Sequence, residues 1–367
     1  MTVGRSSRLL ALAQTEWRHL AAFKSTDRRW QMPACAALAS GLPILIGAAF
    51  DHLDYGLAAS LGGMVFLYTP KTQLSHRMIQ LMACAFAMSA CYTLGLLSHF
   101  VPYLAAPALT FIAILVTMVC RFYALGPPGS LFFILAASIG VFSSVEPLQV
   151  PRQVGLLTMG ALLACGIAFL YSLYVLRLEE PQPAALPAPT FDFVIFDSVV
   201  IGLFVGASLA IAQALHMERA YWAPVSCLAV IQEVSMRAVW TKQLHRIAGT
   251  GVGLILAWLF LMLPFEKWSV SAMMIVLAFV VETLVVRHYA MAVIFITPLT
   301  ILLAEGGSLG HGSPAALLEA RFLDTLLGAL AGLVGGVCLH SQRFRAVLGA
   351  QVFRLVPSRH APVASQE

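Results

Sequence analysis

A series of twelve apolar runs between residues 32 and 340 constrains the fold of this chain more than any other feature. Hydrophobic residues make up 60% of its 367 positions and charged residues only 11%, which is typical of a multi-pass membrane protein and excludes a large soluble core. We therefore predict an all-α fold of about twelve transmembrane segments, several of them short or broken. The runs lie at about residues 32–50, 56–69, 78–97, 104–122, 130–143, 154–176, 194–215, 222–235, 247–265, 269–286, 290–304 and 323–340.

The spacing of matching segments predicts an internal repeat, in which the same membrane unit occurs twice along the chain. Tyr55 and Tyr221 are 166 residues apart (221 − 55), and the segment 121–124 precedes the similar segment 287–290 by the same offset (287 − 121). Six runs per copy is an even number, so both copies enter the membrane in the same direction. This predicts two parallel six-span repeats around an axis normal to the membrane, with a pathway along that axis.

The predicted domain boundaries follow from these runs. Residues 1–31 form a basic cytoplasmic segment, 32–176 the first six-span repeat and 177–193 a cytoplasmic linker with several prolines. Residues 194–340 form the second six-span repeat, and residues 341–367 a basic cytoplasmic tail.

The distribution of basic residues predicts the orientation. With both termini inside, 18 lysines and arginines fall in cytoplasmic segments and four fall outside, which satisfies the positive-inside rule. The four outside are Arg152, Arg219, Lys267 and Arg321. We expect a multi-pass protein of the bacterial inner membrane with cytoplasmic termini and no cleavable signal peptide.

The most specific stretch runs from Tyr221 to Gly253. It resembles the FUSC family, the fusaric-acid-resistance and aromatic-acid-exporter-like membrane proteins, to which the plant aluminium-activated malate channels are similar. The resemblance implies export of small organic anions, with aromatic carboxylic acids as the leading class. The residues that carry it are Tyr221, Trp222, Ala223, Pro224, Gln232, Arg246, Gly249, Thr250 and Gly253.

Short runs at matching positions of the two copies indicate the transport site, because transporters bind substrates at interrupted helices. These runs are 56–69 with 222–235, and 130–143 with 290–304. Basic residues at the predicted inner ends of spans would form a positive ring that attracts anions; the alternative is plain membrane anchoring. The predicted substrate-binding residues are Arg77, Arg121, Arg246, Arg287, Lys242, Gln232, Tyr221 and Trp222.

The aromatic pair Tyr221 and Trp222 has two interpretations. It either belongs to an interfacial aromatic belt or stacks on an aromatic substrate. Two acids inside apolar runs, Glu282 and Asp197, are candidates for proton coupling, with a structural ion pair as the alternative. Asp324 is close enough to a span end to be interfacial.

No enzyme motif is present in the sequence, and no cofactor or metal is expected. All seven cysteines fall in apolar segments without a metal-binding spacing. The leading interpretation is a proton-coupled exporter of organic anions through a cationic pathway between the repeats. A passive anion channel, a non-transporting scaffold of an envelope complex and a lipid- or polyketide-handling accessory protein stay open. The expected partners are the anion, the bilayer, a periplasmic adaptor and a second copy of the chain, but not nucleic acid.

The predicted topology can be tested at Ala185 in the linker. In a variant whose native cysteines are replaced, Ala185→Cys should resist a membrane-impermeant maleimide in spheroplasts and react after permeabilisation, because the linker is predicted to be cytoplasmic. Glu146→Cys, in a predicted external loop, should react in both conditions. Labelling of Ala185→Cys in intact spheroplasts would contradict the arrangement of two six-span repeats.

Overall fold

The computed structural model describes residues 23, 25–26, 28–101, 103–143, 145–184, 191–263, 266–305 and 314–345. Within these residues the chain forms twelve α-helices and two short 3-10 segments, without a strand. The predicted all-α class is therefore confirmed. Several basic residues predicted to be cytoplasmic lie outside the described residues, namely Arg5, Arg8, Arg18, Lys24, Arg354 and Arg359.

The twelve helices correspond one to one with the predicted apolar runs. In the first half they are α1 (Gln31–Ala49), α2 (Leu53–Gly63, continued by the 3-10 segment Met64–Tyr68), α3 (Leu74–His99), α4 (Ala105–Phe122), α5 (Leu131–Phe142) and α6 (Val150–Val175). In the second half they are α7 (Phe191–Ala214), α8 (Trp222–Ile231), α9 (Met236–Leu261), α10 (Lys267–Leu284), α11 (Tyr289–Glu305) and α12 (Pro314–His340).

Eight of these helices are long and apolar enough to cross a membrane, and the shorter apolar helices are α2 with its 3-10 extension, α5, α8 and α11. The short helices are the second and fifth of each half, as the short runs predict. Helix α8 has ten residues, so it covers only about 15 Å of depth. All ten are buried, so α8 lies entirely inside the bundle.

The two halves repeat the same helix pairings. Helix α2 packs on α6 as α8 packs on α12, and α3 packs on α5 as α9 packs on α11. The halves join along two equivalent seams, which we call the α4–α7 seam and the α10–α1 seam. Short helices also meet across the halves, since α5 contacts α8 and α11 contacts α2. The short helices therefore lie where a pathway between the halves would run.

Contacts between loops and termini fit the predicted alternation of sides. Segments assigned to one side touch each other, since Arg29 forms an ion pair with Glu179 of the linker at 2.9 Å and Gln182 donates to the carbonyl of Lys71 at 2.8 Å. On the opposite side, Lys267 pairs with Asp51, and this lowers the pKa of the Asp51 carboxyl. Which of the two sides is cytoplasmic stays a prediction.

Glycines at four-residue intervals let α12 approach α8 closely. A methyl group built on Gly332 would lie 2.6 Å from the carbonyl oxygen of Cys227, and one on Gly328 would collide with the backbone of Ala223. Gly253 of α9 faces the backbone of α11 in the same way. This close packing is needed because a helix as short as α8 must be held by its neighbours.

Two predicted boundaries are wrong by two or three turns, in each case at a helix start. The segment 236–246, predicted as a basic turn, is the beginning of α9, where the hydroxyl of Ser235 accepts a hydrogen bond from the Ala238 amide at 3.2 Å. Arg246 therefore lies three turns into a helix. Helix α12 begins at Pro314, so Arg321, predicted as an external loop residue, is two turns inside it. Hydropathy marks the apolar centre of a helix and misses its charged first turns.

The close α8–α12 packing can be tested with a matched pair of glycines. Gly332→Ala should lower the free energy of unfolding by about 1–3 kcal/mol, because the new methyl group has no space. Gly166, 166 residues earlier on α6, has nothing within 4 Å of a built methyl group, so Gly166→Ala should leave the melting temperature unchanged or slightly higher. Equal melting temperatures for the two variants would contradict the packing described here.

Candidate functional site

The candidate site is built around Arg246 of α9, which is buried inside the second half. Its Nη2 donates to the hydroxyl of Ser226 on α8 at 2.9 Å, and its Nη1 donates to the hydroxyl of Tyr289 on α11 at 3.1 Å. One guanidinium group thus joins three helices of the second half. A membrane anchor would extend to water or lipid headgroups, so the burial of Arg246 favours an internal role.

Arg321 of α12 is a second buried cation near Arg246. Its guanidinium group lies 3.6 Å from the centroid of the Trp222 ring, a cation–π geometry. Its Nη2 donates to the hydroxyl of Thr300 on α11 at 3.2 Å. Arg321 and Arg246 are close enough for their charges to repel each other. The two arginines therefore concentrate positive charge inside the second half.

Several polar atoms of this cluster have no hydrogen-bond partner among the described residues. They are Nε of Arg246, Nε and Nη1 of Arg321, and both carboxylate oxygens of Asp324. The Asp324 side chain is completely buried, so its predicted interfacial position is wrong. Because buried polar groups are almost always hydrogen-bonded, these donors and acceptors are available to water or to a polar ligand. We call Arg246, Arg321 and Asp324 the buried charge cluster.

A row of aromatic side chains connects this cluster to the first half of the protein. Tyr221 lies 4.9 Å from the ring of Trp222 and 5.8 Å from the ring of Phe142 at the end of α5, measured between ring centroids. Tyr221 and Trp222 are both buried. They do not face lipid, so the aromatic-belt interpretation does not hold for them. Gln232, at the end of α8, approaches Gly129 of the first half.

Lys242 lies on the same side of the cluster as Tyr289. Its ammonium group sits 5.0 Å from the centroid of the Tyr289 ring and forms an ion pair with Glu233. Lys242 therefore has a hydrogen-bonded acid as its partner, whereas no acid is hydrogen-bonded to Arg321 among the described residues.

Arg77 is buried in the first half, away from this cluster. Its Nε donates to the carbonyl of Thr72 at 2.6 Å, and its Nη1 reaches the hydroxyl of Ser172 on α6 at 3.4 Å. Arg77 and Arg246, which occupy equivalent places in the two copies, thus each contact a serine hydroxyl. The two serines, Ser172 on α6 and Ser226 on α8, lie on non-equivalent helices. In the positions that match Arg321 and Asp324 the first half has Gly155 and Thr158 (321 − 166 and 324 − 166).

Arg121 and Asp197 meet in the α4–α7 seam. Nη1 of Arg121 lies 2.6 Å from Oδ2 of Asp197, and Nη2 of Arg345 lies 2.7 Å from its Oδ1. A single carboxylate therefore holds two arginines, one from α4 and one from the segment after α12.

Glu282 has an equivalent place in the α10–α1 seam. Its carboxylate pairs with Arg28, just before α1, at 2.9 Å, although the sequence suggests Arg287 or Arg246 as its partner. Arg287 is exposed and lines a cavity of about 70 Å³ together with Glu282 and Arg28. Arg77, Arg121, Arg246 and Arg287, the four arginines of the predicted ring, have separate surroundings in the part of the chain that the structure describes.

A larger cavity of about 180 Å³ lies between α2, α3, α5, α6 and α11. Its polar wall includes Asp54, Tyr92, Ser143 and Gln153, and Leu303 contributes from the second half. It therefore opens at the predicted outer side, where the two halves meet.

Sequence reasoning missed Arg321, Asp324, Thr300, Ser226 and Tyr289 as members of the site. One signal was available, because Asp324 continues the four-residue series of Gly328, Gly332 and Gly336. Residues at this spacing share one face of a helix, and the glycines indicate that this face is packed. An acid on a packed face is buried, and Arg321 lies one turn before it.

Residues 201–335 match a family model described as fusaric acid resistance protein-like. Over these residues the second half of the chain is similar to fusaric acid resistance proteins. This match confirms the resemblance seen in the sequence. The matched region holds the whole buried charge cluster and its aromatic neighbours.

The chain is also similar to a curated protein, the "Uncharacterized membrane protein YvaC" of Bacillus subtilis. It is 29% identical over 157 residues, which are 43% of this chain and 25% of the relative. The alignment thus spans about a quarter of the relative's length. No solved structure matches the chain.

The ion pair between Arg28 and Glu282 can be tested by a double-mutant cycle. Arg28→Gln and Glu282→Gln should each lower the melting temperature, and the double variant should lose less than the sum, with a coupling of about 0.5–3 kcal/mol. The physical reason is that each single change leaves an unpaired charge in the α10–α1 seam. Additive losses, measured by thermal unfolding in detergent, would show that the pair does not hold the seam.

Proposed function

We propose that this protein exports small organic anions, with aromatic carboxylates as the leading class, through a pathway between its two halves. The single observation that carries the proposal is the buried charge cluster, in which two buried arginines keep N–H groups without a hydrogen-bond partner among the described residues. The family match adds support, because fusaric acid is an aromatic carboxylic acid and resistance to it is the description of the matched family.

The charge balance of the cluster favours an anionic ligand. Arg246 and Arg321 carry two positive charges, and Asp324 carries at most one negative charge. A buried cation is costly unless it is paired and hydrogen-bonded. A substrate carboxylate would accept hydrogen bonds from the free N–H groups, and such charge-assisted bonds are among the strongest that proteins form.

The aromatic wall favours a ligand with a ring. Tyr221, Trp222, Tyr289 and Phe142 surround the approach to the two arginines from three helices and from both halves. Offset and edge-to-face contacts with such rings stabilise an aromatic body by about 0.5–1.5 kcal/mol per pair. A small aromatic acid would thus place its carboxylate on a guanidinium group and its ring among these side chains.

The short helices support a pathway at the same place. Helix α8 ends inside the bundle at Ile231, and Gln232 directly after it lies beside Gly129 of the other half. Gln232 and Lys242 are proposed to guide the anion on one side of the cluster. On the opposite side, the cavity of about 180 Å³ between the halves is proposed as the exit.

The remaining predicted residues are proposed to act on the seams rather than on the anion itself. Asp197 and Glu282 neutralise arginines where the halves meet, so a change in their protonation would loosen one seam. Arg121 and Arg287 lie at the same ends of the seams. Arg77 is proposed to stabilise the first half through α6, with a weaker influence on the anion.

Flux of labelled benzoate from proteoliposomes tests the proposal. Arg321→Gln and Arg246→Gln should each reduce the flux at least tenfold, because a lost charge-assisted bond is worth about 1.5–3 kcal/mol. Arg177→Gln serves as the control, since this arginine is exposed in the linker, and it should keep normal flux. Unchanged flux in both cluster variants would exclude these arginines from the pathway, whereas no flux above that of empty liposomes in the unchanged protein would favour a non-transporting scaffold.

A further inference from the structure

Asp324 is a buried acid to which neither the sequence analysis nor the proposed pathway assigns a role. Its side chain is completely enclosed, and both of its oxygens lack a hydrogen-bond partner among the described residues. An ionised carboxylate in such a place is costly, because no donor replaces the water that it has lost. A structural acid would be expected to show a bonded partner, as Asp197 and Glu282 do.

The surroundings of Asp324 supply cations but no direct bond. Arg321, three residues earlier on α12, and Arg219, in the turn between α7 and α8, both act on it electrostatically. Helix α8 contributes Trp222 and Ser226 near the cluster, α9 contributes Arg246, and α11 contributes Tyr289. The described acid of α7, Asp197, is bound to Arg121 and Arg345. Arg321 is thus a cation on the same helix as Asp324, one turn away.

A substrate carboxylate at Arg321 would change the charge around Asp324. Before binding, an ionised Asp324 partly balances Arg321 and Arg246. After binding, the substrate supplies that negative charge, and a second carboxylate nearby is repelled. Two carboxylates that share one site cannot both stay ionised at low cost, so one of them takes a proton. The buried acid without a donor is the one that gains from becoming neutral.

On the basis of the anion export proposed above, we propose that Asp324 takes up one proton when an organic anion binds to Arg321, and releases it when the anion leaves. The proton adds to a carboxylate oxygen of Asp324, and no other bond forms or breaks. This moves the coupling role from Glu282 and Asp197 to a residue inside the binding site.

The consequence for binding has a definite sign. Where free Asp324 is ionised, binding of one anion requires one proton, so the apparent dissociation constant should rise about tenfold for each unit of increasing pH. In Asp324→Asn the neutral side chain is always present. Binding should then be independent of pH and as tight as that of the unchanged protein at low pH.

Benzoate binding to the full chain in lipid nanodiscs tests this proposal between pH 5.5 and 8. Labelled benzoate gives the affinity, and a pH dye in weakly buffered solution gives the protons taken up per benzoate bound. We expect about one proton for the unchanged protein at the upper end of this range and none for Asp324→Asn. Glu180→Gln, a change of an exposed linker acid, should match the unchanged protein.

The outcomes separate this proposal from the function on which it rests. Proton uptake that persists in a folded, benzoate-binding Asp324→Asn variant would overturn the role of Asp324 while leaving anion export intact. Proton uptake that disappears in Glu282→Gln instead would return the coupling to the α10–α1 seam. No benzoate binding by the unchanged protein at any pH would contradict the proposed substrate class. Arg321→Gln should lose binding at every pH, and retained binding would overturn the pairing of anion and acid.

Discussion

A helix of ten residues cannot cross a bilayer, and the second half of this protein is arranged around enclosing one. The ends of α8 leave backbone groups that lipid cannot satisfy, so the helix must be surrounded by protein over its whole length. Glycines on α12 allow the close approach that closes one side. Arg246 donates a hydrogen bond to Ser226 of α8, and Arg321 packs over the ring of Trp222, the first residue of α8. The same contacts therefore enclose α8 and bury the two arginines.

The two seams between the halves use the same kind of ion pair with opposite polarity. In the α4–α7 seam the cation belongs to α4 and the acid to α7, whereas in the α10–α1 seam the acid belongs to α10 and the cation precedes α1. If α4 packed instead on α1, and α10 on α7, cation would face cation and acid would face acid. Like charges at close range disfavour that exchange, so the polarity helps to select the correct assembly of a doubled chain.

Much of this fold could be predicted from the sequence, because lipid imposes simple rules on span length and hydropathy. The apolar runs, the four short helices and the glycine seams all follow from such rules. The partner of Glu282 could not be predicted, since Arg28 is 254 residues away along the chain. Arg321 was misplaced for a related reason: a window of hydropathy ends a span at its first charge. Only the packing of Arg321 against α8 and α11 shows that its side chain lies inside the bundle. The four-residue spacing between Asp324 and the glycines was the one available indication in the sequence.

The duplication is imperfect at the one place where chemistry is concentrated. Gly155 and Thr158 stand where the second half has Arg321 and Asp324, and Thr158 bonds to Ser89 within the first half. If the buried charge cluster binds the anion as proposed, the described residues contain one such centre per chain, and it lies in the second half. The stoichiometry of a transport cycle should then be one acid per chain, and cooperativity between substrates would have to arise from a second copy of the molecule.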